Sequence, residues 1–543
     1  METYNVILNK GVDYQSFWDD MENETDGGNL YIPNRRVDSP NLRPNSQRQT
    51  WYTLSAEEAE TVRNDARVFV VEIPPEFRDD IKIGLRATQS GTFTKTSSDS
   101  GNYQNWGLIR TLSKSNNYGT SATTSEDYTY TLTGKGVDIV TQDSGIQIDH
   151  PEFEDADGNS RFESKNWGAY SGGPPNGFDQ SPNHDRDYDG HGTHCAGIAA
   201  GKTFGFAKNA KILHQKIAGL EGSGDSGTGI SPSVAFDVIK AWHNAKPINP
   251  NTGYKRPTVV NMSWGYLSIF TNASISEVNY RGTSYTGQDI DSTSERENNY
   301  GLMYAFYSAS GPTYAANNRI ASVDTDIEEM LEAGIHITVA AGNRGNKTDE
   351  VGGTDYNNYW DDGGGANYYH RGSSPYGDAG NDGSPRAIIV GNMDSNPSSS
   401  TNDQKATSSE TGPGVDIYAP GTGIMSSTSN TNKWGGGSQN YYLNSSFKQT
   451  NISGTSMAAP QVAGVLACML ELYPEWTPAQ GKQWLLDNAG SAILNTGTEN
   501  DWTNDRSLKG GEAKVLYMPF SNPTPLKISG GLSMTLNVAL KEI

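Results

Sequence analysis

The chain has 543 residues, with 41 Lys and Arg against 63 Asp and Glu, a formal net charge of −22. That length implies two or more domains, and the acidic balance argues against nucleic acid or an anionic membrane as partner. No apolar run reaches bilayer length, and the opening METYNVILNKGVDYQSFWDD has neither the basic nor the apolar region of a signal peptide.

Residues 1–85 read as a first unit. YNVILNK is a strand, DYQSFWDDMEN a short helix and RQTWYTL a second strand. Ser55 and Glu58 form a capping-box pattern that opens the helix SAEEAETVRND. RVFVVEI is a third strand, ended by Pro74 and Pro75. This order predicts a small α+β, ferredoxin-like layer. Residues 86–104 are rich in Ser, Thr and Gly without a sustained period, which predicts an exposed, cleavable linker.

From 105 to 490 strands and helices alternate. VDIVTQ, TVVNMSW, IHITVAAG, RAIIVGNM and VDIYAPG read as strands. GTHCAGIAAG opens one helix, Ser231-Pro232 and Thr477-Pro478 cap two others, and Gly334 closes a fourth. The alternation predicts an α/β fold, a mostly parallel sheet with helices on both faces. Active residues then belong at strand C-terminal ends. Residues 267–320 and 344–380 are polar, aromatic and Gly/Asn/Asp-rich and read as inserted loops. Residues 491–543 form a tail whose LKISGGLSMTLNVAL alternates enough for a strand pair. The two cysteines, Cys195 and Cys468, give no disulfide framework and read as buried thiols.

Three local signals carry chemistry. Asp143 ends the strand VDIVTQ, either starting a turn or standing at a site. His191 begins the small-residue helix of DGHGTHCAG, as a capping or core histidine or as a base. Ser456 lies in GTS before the apolar run MAAPQVAGVLA, as an N-cap or as a nucleophile backed by helix N–H groups. His191 and His194 lack the i,i+4 spacing and the Glu of a zincin helix, so no metal is expected there. Asp, then His, then Ser is the chain order of the subtilisin arrangement.

Through DSGIQIDHPEF, DGHGTHCAG and GTSMAAPQVAG the chain resembles the subtilisin-like S8 serine peptidases, or subtilases. WGLIR, the Cys195 of HGTHCAG and FGFAKNAKI are most similar to the proteinase K branch. The resemblance implies serine endopeptidase activity through an acyl-enzyme. Ser456 would attack, His191 would move the proton, Asp143 would orient the ring, and Asn343 of TVAAGNRG would stabilise the oxyanion, unless it merely forms a loop turn. It implies polypeptide substrates bound between Ser263-Trp264-Gly265 and Gly222-Ser223-Gly224, with Ala340, Ala341 and Gly342 as a pocket wall. Trp264 replaces the family's usual aliphatic residue, as core packing or as part of a pocket for a large apolar side chain. The first unit resembles the subtilase prosegment, an inhibitor removed by self-cleavage within 90–104. No cofactor is required for the chemistry.

Structural calcium is a family expectation, with Asp155, Asp157 and Asn159, or Asp185, Asp187 and Asp189, as oxygen sources, although solvated acidic turns explain either set as well. Cys195, close to His191 in sequence, is the competing nucleophile. A second reading is a structural protein, extracellular or virion-associated, since the chain is also similar to subtilase-like proteins of tailed phages. Virion components would then be partners.

Overall fold

The computed structural model describes residues 1–22, 31–33, 35–40, 48–74, 87–95, 103–119, 123–172, 178–217, 229–250, 252–271, 275–308, 311–364, 367–373, 375–377, 385–395, 402–433, 438–491, 493 and 497–518. The chain divides into two compact units, one built on Met1–Gly84 and the other on Leu85–Leu536.

The first unit contains β1 (Glu2–Leu8), α1 (Tyr14–Glu22), β2 (Gln49–Leu54), α2 (Ala56–Arg63) and β3 (Val68–Glu72). β1 is central, antiparallel to β2 and to β3. Tyr4, Val6, Leu8, Tyr52, Leu54 and Val71 form one apolar cluster with Phe17 and Met21 of α1 and Ala59 and Val62 of α2. The Ser55–Glu58 capping box is formed in both directions, satisfying two of the donors that open α2.

The second unit opens with β4 (Ala87–Thr94), β5 (Tyr103–Asn105), α3 (Gly107–Arg110) and β6 (Thr123–Tyr130). β4 is the central strand of this sheet, parallel to β5 and paired with β6 along its whole length. This corrects the linker expectation for 87–94 and 103–104. The Ser/Thr content that suggested a linker instead builds hydroxyl pairs between the strands, Thr88 with Thr129, Thr92 with Ser125 and Thr94 with Thr123. Phe93 and Tyr128 enter the main core.

Next come β7 (Asp138–Asp143), α4 (His191–Ala200), β8 (Lys211–Lys216), α5 (Pro232–Ala245) and β9 (Thr258–Met262). β10 (Leu267–Thr271), β11 (Glu277–Tyr280), β12 (Thr283–Tyr285), α6 (Thr293–Tyr300), β13 (Tyr304–Ser308) and β14 (Gly311–Asn317) occupy the first insertion. α7 (Ala321–Glu332) and β15 (His336–Ala340) return to the frame, and β16 (Tyr359–Asp361) and β17 (Asn367–Tyr369) fill the second insertion. The remainder is β18 (Ile388–Met393), β19 (Ile417–Pro420), β20 (Ile424–Thr428), β21 (Gln439–Tyr441), β22 (Asn444–Ile452), α8 (Thr455–Leu472) and α9 (Pro478–Asn488).

Six strands form one parallel sheet in the order β19-β18-β15-β9-β7-β8. β7, β9, β15 and β18 are buried at every residue, as strands covered on both faces must be. α4 and α8 pack together and on the sheet, and α5 packs on α7. The predicted α/β architecture is therefore the observed one. From β7 the chain goes to β8 on one side and then to β9 on the other, so the strand order reverses at the C-terminal end of β7, where Asp143 lies. α8 has the length and apolarity of a membrane span, but 83 % of it is buried inside this fold.

Both insertions contain regular structure rather than loops alone. β11 of the first pairs with β16 of the second in the sheet β12-β11-β16-β17, over a cluster that includes Val278, Tyr300 and Trp360. Their polar sequence concealed aromatic stacking such as Trp360 on Tyr368. The tail is also divided. Leu508, Val515, Leu516 and Met518 belong to the main core, with Val515 bridging Tyr418 and Gly490. The strand pair expected in LKISGGLSMTLNVAL lies outside the described residues.

Candidate active site

Asp143 is almost fully buried, and both its carboxylate oxygens lie within hydrogen-bond distance of His191 Nδ1, at 2.8 and 3.0 Å. The Ser144 amide also donates to Asp143 Oδ1, at 2.7 Å. His191 is the first residue of α4, after Gly190 at φ +91°. Burial lowers the imidazole, but the facing Asp143 carboxylate and the neighbouring Cys195 together pull the other way and hold the ring well above its ordinary 6.5.

Asp187 fixes these two elements together, a role the sequence reading missed. Its Oδ1 accepts from Ser144 Oγ at 2.9 Å and from the Gly190 amide at 2.8 Å, and its Oδ2 accepts from the Thr193 amide at 2.9 Å. Ser144 Oγ in turn accepts from the Gly192 amide at 2.9 Å. One buried carboxylate thus caps the N-terminus of α4 and anchors it beside the end of β7. Burial raises this carboxyl above its ordinary range, against the opposing pull of its donors. In sequence the only signal was an Asp four residues before His191, indistinguishable from a turn former.

Ser456 is the second residue of α8. Pro460, four residues on, has no N–H to give the Ser456 carbonyl. That carbonyl is met instead by Ser263 Oγ at 2.9 Å and Cys195 Sγ at 3.4 Å. The backbone of the hydroxyl-bearing residue is therefore held from outside its own helix. Its Oγ donates to the Ser263 carbonyl at 3.1 Å, and no Ser456–His191 hydrogen bond occurs among the described residues. Cys195 Sγ also lies 3.8 Å from His191 Nδ1. Burial pushes this thiol up, so it stays protonated and acts as a structural donor.

Asn343 follows β15. Its Oδ1 accepts from the Thr455 amide at 2.8 Å and from Thr455 Oγ1 at 3.1 Å. With the oxygen anchored, Nδ2 is the end left to donate, beside the N–H groups of the first turn of α8, which have no intrahelical partner. Gly342, at φ +113°, cannot carry a side chain, because a Cβ there would meet Glu410 Cγ at 2.6 Å.

Asp143, His191, Asn343 and Ser456 line one cavity of about 460 Å³. Ser263, Trp264, Gly265, Ala340, Ala341 and Gly342 line it too. Trp264 also stacks on Phe236 and meets Tyr266 edge-on, so packing and lining are both its roles. Gly222, Ser223 and Gly224 lie outside the described residues. Asp189, Asn317, Arg344 and Lys433 also line the cavity and were not singled out for it from sequence.

Asp143, His191 and Cys195 place potential metal-ligand atoms within 4.8 Å of one another. The 2.8 Å Asp143–His191 contact is a direct hydrogen bond, which leaves no room for an ion between them. His194 Nε2 bonds the Thr450 carbonyl. Two of the carboxylates expected for calcium already have donors. Asp155 Oδ1 already accepts the Asp157 and Asn159 amides, and Asp187 is occupied as described.

A family model described as "Peptidase S8, Subtilase family" matches residues 134–513. "Subtilisin-like protease 1" of Arthroderma gypseum is 28 % identical over 375 residues, 69 % of this chain and 50 % of that protein. The "Cuticle-degrading serine protease" of Arthrobotrys oligospora is 26 % identical over 362 residues, 67 % of this chain and 57 % of that protein. A solved cold adapted subtilisin-like serine proteinase aligns at TM-score 0.43 and 21 % identity, over 76 % of this chain and 97 % of the other. The matches thus take in little more than half the length of these curated relatives. With the family model covering well over half of its residues, the chain belongs to the subtilase family.

Proposed function

We propose that this chain is a serine endopeptidase that cleaves polypeptides through an acyl-enzyme on Ser456. The observation that carries this reading is the Asp143–His191 hydrogen bond at one wall of a cavity that Ser456 and Asn343 also line. His191 takes the Ser456 proton as Oγ attacks the scissile carbonyl carbon. Asp143 stabilises the imidazolium, and Asn343 Nδ2 with the Ser456 amide receives the oxyanion. His191 then protonates the leaving amine, and water repeats the sequence on the ester. The Ser263 carbonyl, which Ser456 Oγ now occupies, is an acceptor for the backbone of an extended substrate. A substrate N–H on that carbonyl releases Oγ toward His191. Apo sites often tighten in this way only on binding.

The first unit is read as an inhibitory prosegment removed by the enzyme itself. Because β4 is paired along its length within the second unit, the cut is placed outside Ala87–Thr94, on its amino side. N-terminal sequencing of the mature protein, beside Ser456→Ala, tests both steps. The wild type should digest denatured casein and begin before Ala87, while the variant stays full length and inert. Digestion by Ser456→Ala contradicts the nucleophile, and a mature N-terminus beyond Thr94 contradicts the placement of the cut.

A further inference from the structure

The ionisable groups lining the catalytic cavity are Asp143, Asp189, His191, Arg344 and Lys433. Four of them are matched. Asp143 holds His191 at 2.8 Å. Lys433 Nζ lies 2.8 Å from Asp189 Oδ1, a charge contact rather than a directed hydrogen bond, and the Lys433 amide donates to the Asp189 carbonyl at 2.9 Å. Arg344 differs. It is exposed, and its guanidinium has no ion pair and no hydrogen bond among the described residues. Among the described residues it is thus a cavity-lining cation with no carboxylate recorded against its guanidinium, in a chain of net charge −22.

Its place in the chain gives the cation a task. Arg344 directly follows Asn343, the residue read as the oxyanion donor. The carbonyl bound there belongs to the residue on the acyl side of the scissile bond, so that residue's side chain starts one bond away. The walls beside it, Ala340, Ala341 and Gly342, are small. Asn317 does not supply a competing charge, and its Nδ2 already donates to the Ala341 carbonyl at 3.2 Å. The carboxyl recorded against the Arg344 backbone is Glu410, whose Oε1 accepts the Arg344 amide at 3.3 Å. Glu410 is fully buried, and burial pushes its carboxyl up to about 8, so near neutral pH it does not offset the guanidinium.

We propose that Arg344 is a specificity-determining residue that selects an acidic side chain, glutamate foremost, on the acyl side of the scissile bond. The large apolar preference that Trp264 suggests from sequence is thereby replaced. A planar guanidinium matches a carboxylate through two parallel hydrogen bonds and gains much less from a neutral amide. The inference rests on the peptidase reading above and names its substrate class.

The test uses fluorogenic peptides identical except for the acyl-side residue, which is Glu, Gln, Leu, Phe or Lys. The expected kcat/KM for Glu exceeds that for Gln by about tenfold at low salt, and the ratio falls as ionic strength rises. Arg344→Gln should bring the Glu/Gln ratio to about one, and Arg344→Glu should favour Lys over Glu. The ratio is internal to each variant, so a variant that folds less well still reports it. Preference of the wild type for Leu or Phe over Glu, or a Glu/Gln ratio that Arg344→Gln leaves unmoved, overturns this inference alone. Failure to cleave any of the five, with no fluorophosphonate adduct on Ser456, overturns the peptidase reading and this inference with it.

Discussion

The two halves of the catalytic line differ in how far they are assembled. At one end Asp143, His191 and Asp187 are locked by directed hydrogen bonds, with the ring already in contact with its carboxylate. At the other, the Ser456 backbone is fixed by Ser263 and Cys195, while its hydroxyl rests on the Ser263 carbonyl. The charged half cannot be left to form during the reaction, because an unpaired buried carboxylate is costly. A hydroxyl rotates about one bond at little cost and can wait for substrate.

The largest break in this comparison is Ser456→Ala, expected to lower kcat by about 10⁶, measured with a casein or peptide substrate. Asp143→Asn, which keeps the shape and removes the charge, should lower kcat by about 10⁴, and it should also bring the His191 titration, followed by NMR, down from its raised value. Asn343→Ala should cost about 10²–10³ in kcat with KM little changed. Its effect belongs to the loosely assembled half and should not move the His191 titration.

Asp187→Asn tests the anchor of the closed half. Loss of charge at a carboxylate with several donors should destabilise the second unit by about 2 kcal/mol, read from its thermal unfolding. Finally, pH sharpens the contrast. Deprotonated His191 is the working base, and its value is raised, so the acid limb of kcat/KM should have its midpoint above 6.5 and fall about tenfold per pH unit below it. The stability contribution of the same pair has the opposite sign. It is full below the ordinary imidazole value and fades as pH rises through the raised one.

The site's reacting residues were legible because each sits in a short run of small residues that only a tight strand end or helix start requires, as in VTQDSG, GHGTHCAG and GTSMAAP. The parallel sheet was legible from its continuous apolar strands. What escaped depends on distant partners. Asp187 looks like a turn residue until Ser144 and Thr193 meet it. β4 carries almost no apolar alternation, and its strand character comes from an equally polar β6 opposite. β11 and β16 are separated by nearly eighty residues of chain and are strands only because they pair. Arg344 carries no signal in TVAAGNRG, since an isolated cation is visible only when its surroundings are known.

The most direct test treats the intact chain with a fluorophosphonate and locates the adduct by peptide mass spectrometry. The account predicts one adduct, on Ser456, formed more slowly in Asp143→Asn and absent in Ser456→Ala. An adduct on any other serine, or labelling that survives Ser456→Ala, would contradict it.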